Sequence, residues 1–539
     1  MHSVWRRRVN CSGMGLWICL CIAHSAAAQN SESSKLDYLG SERYGAGDLD
    51  GAIAAFRQAI AANPNDSLAY SNMGLALMDK GNLPEAATAL ERCISIIDAK
   101  AAAAHIAPPT KPRAYSVLAI ALNNLALIRY QQGELDAALS AATRSVRDAM
   151  AYPDAWVTRG VVLQAQGKLD AAIDAYHQAQ TLNPKLAAAS QNLGQALQKK
   201  GQLDGALTVL SQGIANHPDD SELQVAYASV LSQKGRLPDA VAAYKVSLGI
   251  KPDSADALYG LGNDLRYLGN FPEALTALQQ AHGLAPADVN TTLSLATLLT
   301  EMGHDPEAQA LLDQIPEAQK NNPYLFLARA TTLIHQNKAG DAIPLLQQAL
   351  AANSDFPEAT AALASLQIDS GKPEQGMTMI RPALTAHPEN AELHNAYGLL
   401  LGAQGKFPEA QAEYEKALAI RPGYLDARIN LAVAQSRQNK PSDAVANFRA
   451  VLEVDPTNLK AEANLGVTLI GAKRYADAAT ALRAAIALSP SDPDLYTNLG
   501  IALERSGKTS EAQQCYAQEK KLKAQAASAL AHPTVVTKP

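Results

Sequence analysis

Six asparagines, Asn72, Asn124, Asn192, Asn430, Asn464 and Asn498, are the residues of this chain best placed to do binding chemistry, and the last three stand 34 residues apart. A primary amide is donor and acceptor at once. Repeated at one spacing along a surface, such amides can pair with the backbone of an extended polypeptide whatever its side chains. They are therefore the expected partner-binding residues, and the ligand expected is a protein or peptide. Acids recur at a second fixed place, as Asp154, Glu222, Asp256, Glu358, Glu392, Asp426 and Asp494. Carboxylates so placed suit a helix N-terminus through its dipole, or select a partner by charge.

Catalysis needs a constellation, and the sequence offers none. The histidines after residue 100 are scattered singly, without HExxH or any Cys/His metal spacing. His387 and His394 form the nearest pair and read as turn and helix-surface residues. There is no glycine-rich phosphate loop and no GxSxG elbow. The expectation is a non-enzyme with no catalytic residues, no metal and no cofactor. Lys plus Arg number 46 against 52 Asp plus Glu, a formal charge of −6 with no concentrated basic face, so nucleic acid is not an expected partner.

Residues 1–28 carry Arg6, Arg7 and Arg8 with no acid, then an apolar stretch from Gly13 to Ala23, then Ala26, Ala27 and Ala28. That order is a secretory signal peptide with cleavage expected after Ala28. The apolar stretch is shorter than the roughly 20 residues a spanning helix needs, so no stable membrane span is expected after cleavage. The expected location is periplasmic or secreted. Cys11, Cys19 and Cys21 would leave with the signal. Cys93 and Cys515, far apart in the chain, read as free thiols rather than a disulfide framework.

The elements that position these residues follow from one period. Units of 34 residues begin at 33 and 67 and, after 18 extra residues, at 119, 153, 187, 221, 255, 289, 323, 357, 391, 425, 459 and 493. The eighth position is Gly or Ala in all fourteen, and the twentieth is Ala in every unit but one, which has Gly376. Small residues at both places let two helices cross closely. Tyr or Leu recurs at position twenty-four, as in Tyr176, Tyr244, Tyr414 and Tyr516; position fifteen is Gly in eleven units; position thirty-two is Pro in nine. Glycine supplies a left-handed turn between helices and proline stops the second helix.

Small at eight, Gly at fifteen, Ala at twenty, bulky at twenty-four and Pro at thirty-two resemble the tetratricopeptide repeat, and Trp156 takes that family's fourth-position tryptophan. The resemblance covers 33 to about 526. It implies an all-α, right-handed α-solenoid of about 14 helix-turn-helix units, with positions two, five, six, nine and twelve of each first helix facing a concave groove. The asparagines hold position six and the acids position two. Lysine at five and arginine at six, with which some relatives hold a terminal carboxylate, are absent.

The expected organisation is a signal peptide over 1–28, units 1–2 over 29–97, an insertion over 98–118, units 3–14 over 119–526, and a helix end with a loose tail over 527–539. The insertion reads as a lengthened second helix running into a rigid loop with Pro108, Pro109 and Pro112. Between 305 and 390 the pattern loosens: Pro316 ends a helix early, Asn337 replaces the turn glycine, Gly376 replaces the packing alanine, and Pro382 falls inside a second helix. A soft joint is expected there.

The signal peptide and the resemblance together lead to the expectation of an exported, non-catalytic scaffold that binds an extended peptide or partner protein, serving envelope assembly or secretion. Two alternatives stand beside it. The repeats also resemble those of protein O-linked N-acetylglucosamine transferases, though the sequence here holds no nucleotide-sugar domain after them. An accessory of exopolysaccharide export is the other.

Overall fold

The computed structural model describes residues 31–104 and 116–531, and everything in them that is regular is helical. Among the described residues, 28 α-helices follow one another from Glu32–Gly45 to Thr509–Ala531, with one short 3-10 turn at Glu317–Gln319. They pair as first and second helices of fourteen repeats, numbered 1 to 14 in chain order. The signal-peptide reading, the prolines of the insertion and the tail beyond 531 lie outside the described residues.

Local chemistry sets each boundary. Asp66 caps the helix Ser67–Lys80, its carboxylate accepting from the amides of Leu68 and Ala69. The same helix ends at Gly81 with φ 85°, in the left-handed region. Every position fifteen adopts this conformation: eleven glycines, and Asn337, Asn439 and Lys473 in the remaining repeats with φ of 58°, 59° and 61°. The turn therefore dictates the backbone whichever residue occupies it, and Lys473 bears the strain that a Cβ brings there.

Packing repeats the same way. The expected crossing of positions eight and twenty is present: a methyl on Gly376 would lie 2.7 Å from the Ala364 carbonyl oxygen, and one on Gly74 3.4 Å from that of Ala86. The tightest neighbour of position eight, however, is position twenty-four of the same repeat. A methyl on Gly160 would sit 2.4 Å from the Tyr176 ring, on Gly398 2.5 Å from Tyr414, and on Gly194 2.5 Å from Leu210. The missing side chain at eight is the socket for the bulky one at twenty-four, and Tyr176 and Leu210 are accordingly fully buried.

The chain divides into two compact units, Met1–Val230 and Leu231–Pro539. The first is built around Phe56, Leu77, Leu90 and Ile128 and, further along, Tyr176, Leu193 and Leu210. The second is built around Ile380, Leu393, Leu400 and Tyr414, then Phe448, Leu465, Leu482 and Leu499. In the first unit the second helix of repeat 2 runs 21 residues, Leu83–Ala103. In the second, the second helix of repeat 8 is only nine residues, Asp305–Asp313, ending ahead of Pro316. The helix Pro373–Ala386 continues through Pro382. Gly376 is no missing packing methyl: a methyl there would also lie 2.7 Å from Leu400 in the next repeat, so the backbones have closed in to use its absence. Cys93 is buried and Cys515 half-buried, both free, and burial pushes the Cys93 thiol up to about 12.

Candidate partner-binding face

All six asparagines lie on first helices, and their side chains divide by what stands at position five of the preceding repeat. In the first unit Asn72 donates from Nδ2 to Asp37 Oδ1 at 3.2 Å. In the second unit Asn430 donates to Asn395 Oδ1 at 3.0 Å, and Asn395 in turn donates to the Tyr424 hydroxyl at 3.3 Å. Both bonds span the same 35 residues, from position six of one repeat to position five of the one before. Where that predecessor is aliphatic the bridge has no acceptor. Asn192 follows Val157 and donates to its own helix, to the Ala188 carbonyl at 2.7 Å; Asn464 follows Ile429 and donates to the Lys460 carbonyl at 2.8 Å. Asn498 follows Ala463 and is half-buried. Asn124 follows Ser71, and both are buried.

Burial sharpens the division. Asn72 and Asn124 belong to the repeat interfaces, whereas Asn192, Asn430, Asn464 and Asn498 keep contact with solvent. An amide that spends one N–H on the i−4 carbonyl still has a second N–H and a carbonyl oxygen to offer.

One signal at the same face was not used in the sequence reading. An aliphatic residue stands three places after each of the last three asparagines, as Val433, Val467 and Ile501. Residues three apart share a helix face. Val467 is 47% exposed beside Asn464. Val433 and Ile501 are half-buried. Each first helix of repeats 12 to 14 thus shows an amide and an aliphatic group side by side, suited to a backbone strand and its side chains together.

The acids at position two are mixed in role. Glu358 accepts from Asn390 Nδ2 at 2.8 Å, and Glu392 accepts from Arg421 at 3.1 Å. Asp154 has no ion pair among the described residues, and burial raises its carboxyl above the usual range. At the first repeat burial drives Asp37 up to about 7, against the opposing pull of the Asn72 amide, with Asp66 adding to the rise. His387 and His394 do not meet. His387 pairs with Asp355 at 2.6 Å, and His394 with Glu413 at 2.6 Å and the Pro388 carbonyl at 2.9 Å. Among the described residues no cluster of three metal-ligating side chains is present, and no helix is long and apolar enough to cross a membrane.

Comparison with known proteins bears on the whole array. Three family profiles, each described as tetratricopeptide repeat, match: one at residues 163–230, 265–331, 333–400 and 469–531, a second at 39–104, 123–187 and 429–493, and a third at 389–457. No curated protein matches. Among solved structures, the crystal structure of the APC/C hetero-tetramer Cut9–Hcn1 is similar over 92% of this chain and 95% of that one, at 14% identity and a TM-score of 0.54, which is a likeness of fold. The crystal structure of MamA aligns with 33% of this chain and 95% of its own, at 26% identity and a TM-score of 0.27.

Proposed function

From its membership of the tetratricopeptide-repeat family, to which the chain belongs, we propose that this protein is an exported, non-catalytic scaffold that holds an extended segment of a partner protein against the first helices of repeats 12 to 14. The observation that carries this reading is the pairing, in three successive repeats, of a solvent-reaching amide with an aliphatic group one helical turn on: Asn430 with Val433, Asn464 with Val467, Asn498 with Ile501. Amides supply backbone pairing and aliphatics supply area, so affinity comes without strict sequence choice. Export rests on the charged, apolar and small-residue succession in 1–28. A periplasmic or secreted scaffold of this kind serves envelope assembly or secretion.

The test places a photo-crosslinking amino acid at Val467 or, on a second helix, at Leu488, itself 40% exposed. Crosslinking in intact cells from 467 and not from 488, with adducts identified by mass spectrometry, is the expected result. Adducts from 488 alone would move the binding face elsewhere. Fractionation and N-terminal sequencing of the same material should find an exported chain beginning at Gln29.

A further inference from the structure

Repeat arrays hold themselves together through neighbours only, so each contact between distant repeats is an addition to the plan. The second unit contains such a contact, between residues 120 positions apart in the chain. Arg421, in the turn after the second helix of repeat 11, ion-pairs through Nη2 with Glu301 at the end of the first helix of repeat 8. Glu301 also takes Arg266 Nη1 at 2.9 Å from the end of the first helix of repeat 7. Arg421 Nη1 reaches back to Glu392 at 3.1 Å. Its guanidinium lies 5.0 Å from the Tyr267 ring centroid and 4.7 Å from that of Tyr424. The side chain is only 6% exposed.

The backbone is engaged as well. Gly423 donates its amide to the Tyr267 carbonyl at 2.7 Å. A methyl on Gly423 would lie 2.3 Å from the Gly269 nitrogen and 2.6 Å from the Tyr267 oxygen, both main-chain atoms that cannot step aside. Gly423 is not among the glycines with positive φ, so its own turn does not require glycine. Every other repeat with a defined turn carries a side chain at this thirty-third position, as in Asn65, Lys185, Asp219, Asp253, Asp355 and Thr457. The glycine is there for the approach of repeat 7. Although burial alone would raise its carboxyl, Arg266 and Arg421 hold Glu301 below the usual carboxylate range, so the junction keeps its charges at any pH near neutrality.

We propose that this junction is a clasp that makes repeats 7 to 11 one cooperative body, so that the span opens as a whole rather than repeat by repeat. The first helices between the two ends are then preset before any partner arrives. A simple array lets strain or unfolding stop at the next interface. Here, loosening repeat 11 also removes the charge and the backbone acceptor's partner from repeats 7 and 8.

Amide hydrogen exchange on the full chain tests this, comparing wild type with Gly423→Ala, Glu301→Gln and, as a control at a glycine with open space around it, Gly283→Ala. Gly423→Ala should speed exchange ten-fold or more in 255–268 and 289–301, more than 100 residues away, and Glu301→Gln should do the same in 407–420. Residues 493–505 and the Gly283→Ala protein should be unchanged. The two substitutions combined should add little to the larger single effect, since both undo one junction. Glu301→Gln is near-isosteric, so it gives the answer even if Gly423→Ala disturbs the fold more widely. Effects confined to the substituted repeat and its immediate neighbours, or Gly423→Ala behaving like the control, would overturn the proposal.

Discussion

Asn430 donates its side-chain amide to Asn395 across the interface of repeats 11 and 12, while Asn464, at the same position one repeat later, turns its amide onto its own helix. The difference lies in the residue 35 places back: Asn395 is an acceptor and Ile429 is not. A single ladder of asparagines therefore carries two duties, joining repeats and facing outward. A polar group bonded to a side chain of the neighbouring repeat costs more to delete than one bonded only to its own helix.

Asn430→Ala should lower stability by about 1 kcal/mol, because Asn395 loses a bonded partner. Asn464→Ala should leave stability within about 0.5 kcal/mol, as expected for a solvent-reaching side chain. Urea unfolding followed by circular dichroism measures both. On binding the order reverses: Asn464→Ala combined with Asn498→Ala should weaken capture of the crosslinked partner by roughly ten-fold, at about 0.5–1.5 kcal/mol per contact. Equal losses of stability in all three positions would mean that the whole ladder is structural.

Gly160→Ala should destabilise repeat 4 even though alanine favours helix by up to about 1 kcal/mol. The methyl meets the ring of Tyr176, which is fully buried, and overpacking of this kind costs roughly 1–3 kcal/mol. Adding Tyr176→Leu should recover part of the loss, since Ala330 with Leu346 already serves repeat 9. A neutral or stabilising Gly160→Ala would contradict the socket reading of position eight.

Lys473→Gly should stabilise the protein, by about 1 kcal/mol, since the lysine occupies a left-handed turn that L side chains resist. Gly167→Ala, at the equivalent turn of repeat 4, should cost a similar amount. Thermal unfolding of the two variants beside wild type gives the signs directly.

Asp37 makes the first repeat sensitive to pH. Its folded value, about 7, lies above the ordinary aspartate value of 3.8, so the folded chain binds the proton more tightly than the unfolded one. The associated stability is fully present below about pH 4 and is lost as pH rises toward 7, at up to about 1.4 kcal/mol per unit. Asp37→Asn, which keeps an acceptor for Asn72, should flatten this dependence and protect residues 32–45 at pH 8. Exchange rates of that helix at pH 5 and pH 8, corrected for intrinsic rates, decide it; identical pH dependence in variant and wild type would refute it.

The repeat, its helix boundaries and its turns were legible in the residues themselves, because each is decided within one unit. Gly81 needs only its own φ, Asp66 only the amides two and three residues on, and the period places the rest. The asparagines were legible as a row. Their division was not, since it depends on pairing each with the fifth position of the preceding repeat, a register that only the stacked helices display. The socket for Tyr176 was half legible: the small residue at eight was plain, but not that its filler is sixteen residues on. Gly376 looked like a defect and is a closer approach. Farthest from reach was the meeting of Arg421 and Gly423 with Glu301 and Tyr267. Nothing in a 34-residue period specifies which repeats meet beyond their neighbours, because that depends on small rotations summed over several interfaces. Its one trace in the sequence is a glycine where every other turn has a side chain.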